Sequence, residues 1–311
     1  MLSDEKILIT GPAGQIAFPM ARDLAKDNEV WGIARFGDPA TKKQVEDVGV
    51  KALAIDLAEP DFSELPDDFT YVLHLAVVQA PGFDYDLAIR ANAEGTGLLL
   101  QHCRKAKAAL VMSTHSVYKP PADGDPWHVF AETDPLGDCN SLHAPTYSMS
   151  KISQEAVART CARLFDLPVT IARMNASYGP DGTGGLPIMQ MDALMAGNPV
   201  VTRWDPCMYM PIHTDDITAQ AEALLDGASA TNPTIVNWAG DEPASVQEWC
   251  AYIGELTGID PVVESKPLDG TLRGSVTDNT RRAALTGPCT VSWRDGIRDA
   301  LVKRHPDRLV A

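Results

Sequence analysis

The sequence predicts an α/β fold, a doubly wound parallel sheet followed by a smaller C-terminal portion. Three observations carry this. Short apolar runs of strand length alternate with helical patterns through the first half of the chain. A glycine-containing turn joins the first strand to the first helix. The 311 residues suffice for one large domain or two moderate ones with a sizeable core.

The elements follow in order. Lys6–Thr10 reads as a short buried strand, and residues 15–26 as a helix with Ile16, Met20 and Leu24 on one face. Further strand-like runs lie at 30–34, 52–55, 71–75, 110–113 and 169–172, separated by long helical patterns at 86–105 and 147–165. Strands alternating with helices mean βαβ units, and right-handed crossovers wind them into one parallel sheet. After Tyr178-Gly179-Pro180 the texture changes, with Gly182, Gly184, Gly185 and Pro187 close together. Shorter elements follow: a helix at 188–195, runs at 200–202 and 209–212, a capped helix from Thr214, a late sheet strand at 234–238, and helices at 245–257 and 293–303. Residues 1–175 are expected to form a nucleotide-binding domain. Residues 176–311 form mainly a substrate-binding portion, with 212–240 returning to the sheet.

Composition narrows the function classes. Apolar residues make up 45% and charged residues 22%, a globular balance. The net charge of −16 argues against binding a phosphate backbone or an anionic membrane surface. No apolar stretch approaches the length of a bilayer span, and the opening MLSDEKILIT leads straight into a strand, so no secretory leader is expected. Six scattered cysteines form no C-x-x-C and no zinc-like spacing, as for free thiols in a reducing cytoplasm. No metal site is expected. His213, Asp215 and Asp216 look superficially like a cluster but read better as a strand-to-helix junction.

The turn Gly11-Pro-Ala-Gly14-Gln-Ile-Ala17 carries the first chemistry. Gly11 suits the tight turn, Gly14 lets a phosphate approach the backbone, and Ala17 allows close helix–strand packing. Arg35 ends the second strand, where an acid would bind the 2′-hydroxyl of a ribose; a guanidinium there suits a 2′-phosphate, or is a solvated surface arginine. Asp56, past the third strand, accepts from an adenine amino group or caps its own turn.

Tyr147-Ser-Met-Ser-Lys151 places a phenol and an ammonium on one helical face. A nearby cation lowers a tyrosine pKa, so this phenol is expected to exchange a proton with a substrate oxygen. Ser113-Thr114-His115-Ser116-Val117-Tyr118 precedes it by about 30 residues.

Taken with HLA at 74–76, N-x-x-G-T at 92–96, YGP at 178–180, IHTDD at 212–216 and the closing Asp278, Arg282, Leu285 and Gly287, these motifs are similar to those of extended short-chain dehydrogenase/reductases, the NAD(P)-dependent epimerase/dehydratase family. The resemblance covers nearly the whole chain and implies a Rossmann-type sheet and a nicotinamide cofactor. It implies that Thr114 holds the substrate oxygen, Tyr147 is the acid/base, Lys151 binds ribose and tunes Tyr147, and Asn92 helps organise the site. It assigns Gln15 and Ile16 of the loop, Leu57 beside Asp56, and Leu75, Ala76 and Val77 after the fourth strand to the cofactor. It also implies a homodimer through the two long helices.

On the substrate side the chain departs from members acting on nucleotide sugars. Ala176 stands where they carry an asparagine, with Asn175 one residue early, and Tyr209 stands where they carry a diphosphate-binding arginine. Arg273 matches a second such arginine. His115 reaches substrate or packs against its loop. Met189, Met191 and Met195 are core or form a malleable pocket. The leading expectation is an NADP-preferring oxidoreductase, with NAD possible, acting on a small non-nucleotide carbonyl or secondary alcohol. The alternatives are a nucleotide-sugar epimerase or dehydratase with retained NAD, and a catalytically silent NADP-binding regulator.

Overall fold

A computed structural model describes residues 2–79, 82–137, 139, 145–181 and 184–310; Gly182 lies outside them. Seven strands form the central sheet: β1 (Lys6–Thr10), β2 (Glu29–Ala34), β3 (Lys51–Ala54), β4 (Tyr71–His74), β5 (Ala108–Thr114), β6 (Val169–Met174) and β7 (Thr234–Trp238). Their order is β7-β6-β5-β4-β1-β2-β3, all parallel. The winding reverses between β1 and β4, which opens a crevice at the carboxyl ends of those strands.

The helices are α1 (Ala17–Leu24), α2 (Pro39–Asp47), α3 (Tyr85–Ile89), α4 (Gly95–His102), α5 (Tyr147–Phe165), α6 (Leu186–Met195), α7 (Thr214–Asp226), α8 (Val246–Thr257), α9 (Thr280–Thr286) and α10 (Trp293–Arg304). Strand alternation divides the sheet's side chains between two apolar layers. Ile7, Ile9, Leu73 and Leu110 pack with Met20 of α1 and Ile217 and Leu224 of α7. Leu8, Val72, Ala109 and Val111 pack with Leu99 of α4 and Ala158 of α5. Every residue of β5 and β6 is buried, as expected for strands covered on both faces. The chain thus returns to the sheet through α7 and β7. A third core joins α6, α8 and α10 through Ile188, Met191, Trp249, Ile253 and Ile297. α8 begins at a capping box in which Ser245 and Glu248 bond each other's backbone N–H groups.

Two expected elements differ. The helix read at 86–105 is broken by a π-helical segment, Arg90–Glu94, between α3 and α4. The interruption falls where two neighbours demand special geometry. Asn92 bonds both backbone groups of Val78, and a Cβ on Gly95 would lie 2.3 Å from the Leu57 carbonyl oxygen. The run at 209–212 divides in two. Met208–Tyr209 pairs with Ala244–Ser245, and Ile212–His213 pairs with Ser177–Tyr178. Pro211, which has no N–H to give a ladder, lies between them. Met191 and Met195 are core residues, whereas Met189 is 60% exposed. Among the described residues no helix is long and apolar enough to cross a membrane.

Candidate active site

At the crevice, Gly11 has φ +69°, and a Cβ there would lie 3.2 Å from the Ala76 Cα. α1 starts at Ala17 after Ile16, with no side chain capping its first turn. A loop backbone pressed this closely on β4, followed by an uncapped helix end, fits a dinucleotide's pyrophosphate. The adjoining cleft measures about 600 Å³ and brings together Gly11, Gly14, Arg35, Asp56, Leu57, Leu75, Ala76 and Val77. The expected cofactor residues Gln15, Ile16 and Ala17 of the loop lie off this cleft, Ala17 in the first core. Ile16 packs against the first core, and Gln15 is buried with its carbonyl oxygen accepting from Ser177 Oγ at 3.2 Å. Its amide nitrogen has no partner among the described residues, which leaves a buried donor between β1 and the segment at Ser177.

Arg35 is exposed and makes no ion pair among the described residues. The nearest lysines in sequence, on α2, pair within that helix: Lys42 lies 3.7 Å from Glu46, and Lys43 lies 2.6 Å from Asp47. Asp56 does cap its own turn, accepting from Ala58 N at 2.9 Å, while lining the cleft.

Thr114 ends β5, where its hydroxyl accepts from Ser116 N, and Tyr147 opens α5. Burial raises the Tyr147 pKa, and a hydrogen bond with Thr114 opposes the rise. The expected lowering by Lys151 does not occur, because the ammonium is turned elsewhere. Lys151 Nζ donates to the Met112 carbonyl at 2.7 Å and to Gln154 Oε1 at 2.6 Å. Burial holds its pKa down to about 7, against the opposing charge of Glu155. Asn92 joins the Val78 backbone to Ser150 Oγ of α5, the latter at 3.1 Å.

Beneath the site lies a buried ion pair that the sequence reading missed. Arg173 of β6 donates to both oxygens of Glu155, at 2.9 and 2.8 Å, and Ser113 Oγ donates to the same carboxylate at 2.6 Å. Arg173 also donates to Tyr118 OH, which donates to Asn237 of β7. The position of Glu155 four residues beyond Lys151 was the available signal, since it places both on one face of α5.

The substrate-side residues separate. Asn175 is a structural staple rather than a free ligand. Its amide donates to the Ser275 carbonyl and accepts from Ala176 N and Met210 N. Tyr209 packs with its ring 5.8 Å from Trp249, and Arg273 lies over Trp204 at 4.3 Å. His213 caps α7 by accepting from Asp215 N, while Asp216 accepts from Thr290 and Val291.

His115 is buried between Tyr118 and Phe130 with neither ring nitrogen bonded, and burial holds its pKa down to about 3. The unfolded chain binds a proton at this residue below an ordinary 6.5 and the folded one does not, so acidification opposes folding. His115→Phe is expected to raise stability by about 1–3 kcal/mol, since each unsatisfied buried polar group costs about that much. The gain should widen at pH 5 relative to pH 8, by up to about 1.4 kcal/mol per pH unit below 6.5. Urea unfolding at the two pH values measures both.

The fold and the cleft define a nucleotide-binding α/β enzyme with a Thr–Tyr–Lys set at its carboxyl edge. The chain belongs to the NAD dependent epimerase/dehydratase family, whose model matches residues 7–203. A probable UDP-glucuronate 4-epimerase of Rhizobium meliloti (strain 1021) is 27% identical over 341 residues, covering 94% of each chain. Among solved structures, the UDP-glucuronic acid 4-epimerase from Bacillus cereus, in complex with UDP-glucuronic acid and NAD, superposes with a TM-score of 0.82. It shares 22% identity, over 96% of this chain and 98% of that one. The dTDP-glucose 4,6-dehydratase from Bacillus anthracis, in complex with NAD, gives 0.79 at 18% identity over 97% of each chain. At these identities the structures establish the fold.

Proposed function

We propose that this protein is a nucleotide-sugar epimerase that works by reversible oxidation of a sugar carbon, with no net redox change. The observation that carries this reading is the Thr114–Tyr147–Lys151 set beside a dinucleotide cleft, in a chain of which 94% is matched by a probable UDP-glucuronate 4-epimerase. The expectation of a small non-nucleotide substrate gives way to the alternative, because the relatives and neighbours named above are nucleotide-sugar enzymes.

The cleft fits a nicotinamide dinucleotide. Gly11 and Gly14 would hold its pyrophosphate, with Leu75, Ala76 and Val77 as one wall. When bound, the nicotinamide ring supplies a reversible hydride acceptor. The chain's own residues do the rest. Thr114 orients the hydroxyl of the carbon to be inverted, and Tyr147 takes its proton and later returns it. Loss of water would need a further acid and base. His115 and Ser116 follow Thr114, and the carboxylate of Glu155 is fully engaged by Arg173 and Ser113, which favours epimerisation over dehydration. Tyr209 and Ala176 distinguish the diphosphate subsite from that of the members described above.

Proton NMR of the purified protein with a panel of UDP- and dTDP-sugars tests this. A second stereoisomer should grow in from at least one of them. Reduction of simple carbonyls with none of the sugars turned over overturns it.

The NAD in the neighbours' complexes gives the expected NADP preference no support. The site itself supports tolerance of either form, since no acid stands at Arg35 to repel a 2′-phosphate. Arg35→Asp is expected to weaken NADP binding by about 10–100-fold, the worth of a charge-assisted bond, and to leave NAD binding nearly unchanged. Calorimetric titration of both cofactors decides, and equal NADP affinity before and after substitution contradicts it. The exposed Leu98 of α4 and Leu164 of α5, at 46% and 71%, support the proposed homodimer.

A further inference from the structure

We propose that Gln154 is a positioning residue for Lys151: with the Met112 carbonyl it fixes two of the three Nζ bonding directions, so that a single direction is left to exchange a proton or meet a ligand. The proposal rests on hydrogen-bond geometry. Only its kinetic consequence rests on the proposed function, extended by taking Lys151 with Tyr147 as a reacting pair in which the lysine influences the phenol's proton exchange.

The proton positions can be deduced along an unbroken chain. Thr10 Oγ1 accepts from Leu75 N at 3.0 Å and from Ala76 N at 2.8 Å, which fills both lone pairs. Its own proton therefore goes to His74 Nδ1 at 2.9 Å. With Nδ1 accepting, the neutral imidazole carries its proton on Nε2, which donates to Thr96 Oγ1 at 2.7 Å. Burial and the charge of Lys151 keep His74 neutral, with its pKa lowered to about 3. Thr96 Oγ1 also accepts from Gln154 Nε2 at 2.9 Å and gives its proton to the Asn92 carbonyl at 2.6 Å. The amide of Gln154 is thereby oriented, nitrogen toward Thr96 and oxygen toward Lys151 Nζ. The opposite orientation would set two N–H groups against an ammonium.

Thr10, His74, Thr96, Gln154 and Lys151 are almost fully buried, and the 3.2 Å approach of Gln154 Nε2 to His74 Nε2 sets two N–H donors side by side, so both give their protons to Thr96 Oγ1. Thr10 ends the strand before the phosphate loop, Leu75 and Ala76 line the cleft, and Asn92 organises the catalytic helix. Gln154 thus ties the lysine to the walls of the dinucleotide site. A neutral amine has two N–H groups and an ammonium three, so both forms keep the bonds to Met112 and Gln154. Only the third position changes, from donor to lone pair. The charged and titratable groups around Lys151 are Glu155 beside it on α5, already paired with Arg173 of β6, neutral His74 of β4, and Tyr147 one turn earlier.

The test is an NMR pH titration of the unliganded protein carrying lysine labelled with carbon-13 at Cε. Lys151→Met identifies the Lys151 signal by its loss. Gln154→Glu places a carboxylate on the ammonium and should raise the Lys151 midpoint by more than about one pH unit. Gln154→Leu removes the acceptor and should lower it. Thr96→Val, which loosens Gln154 without touching Lys151, should lower it by less. The pH profile of turnover should move with the NMR midpoint. An NMR shift with an unmoved profile upholds the role of Gln154 and counts against the reacting-pair reading instead. Midpoints within about 0.3 units of the parent in folded Gln154→Glu and Thr96→Val proteins overturn the proposal, whether or not Gln154→Leu folds.

Discussion

Tyr147→Phe is expected to lower turnover by about 10²–10⁴-fold while leaving dinucleotide binding nearly unchanged. The ring stays in place at the start of α5, and only the hydroxyl that bonds Thr114 is lost. In the free protein this phenol is held above its ordinary pKa, and the lysine one turn on is committed to Met112 and Gln154. Ionisation of Tyr147 thus has to be helped by groups that arrive with cofactor and substrate. Steady-state rates and cofactor titration on one preparation measure the effect. Turnover near the parent level would remove Tyr147 from the chemistry.

Arg173→Met is expected to destabilise the fold by about 3–5 kcal/mol, because it strands the Glu155 carboxylate in the interior. The side chains of the pair are 3% and 4% exposed. Arg173 also holds Tyr118 and the Glu132 carbonyl, so β5, β6 and α5 loosen together. Arg173→Met combined with Glu155→Leu should recover a large part of that loss, since neither charge then remains. Urea unfolding of the single and double variants gives both numbers. An equal loss in the two would mean that the packing of Arg173, rather than its charge, supports the site.

Much of the fold could be read from the sequence, because its strands are apolar runs of the right length between glycine and proline punctuation. The 234–238 run could be read to the residue from its β-branched, apolar character, whereas its place beside β6 is seen only in the structure. The breaks were harder to see. The π-helical segment at Arg90–Glu94 depends on bonds between the Asn92 side-chain amide and the Val78 backbone and on contact with Leu57, and neither leaves a trace in helical periodicity. Of the candidate site, the motif residues Thr114, Tyr147 and Lys151 were legible as candidates in the sequence. Partnerships across the sheet were not legible, and nothing in the sequence shows that Asn175 is held by the Ser275 carbonyl and Met210 N. Gln154 escaped notice because a glutamine in a helix is ordinary until a lysine is found bonded to it.

In the proposed epimerase, oxidation at the sugar carbon is transient. Stopped-flow absorbance at 340 nm during turnover of a responsive nucleotide sugar by the NAD-loaded protein tests this. A small rise is expected that never exceeds the enzyme concentration and disappears as equilibrium between the sugars is reached. Reduced nicotinamide accumulating in proportion to substrate consumed would contradict it and establish a net oxidoreductase.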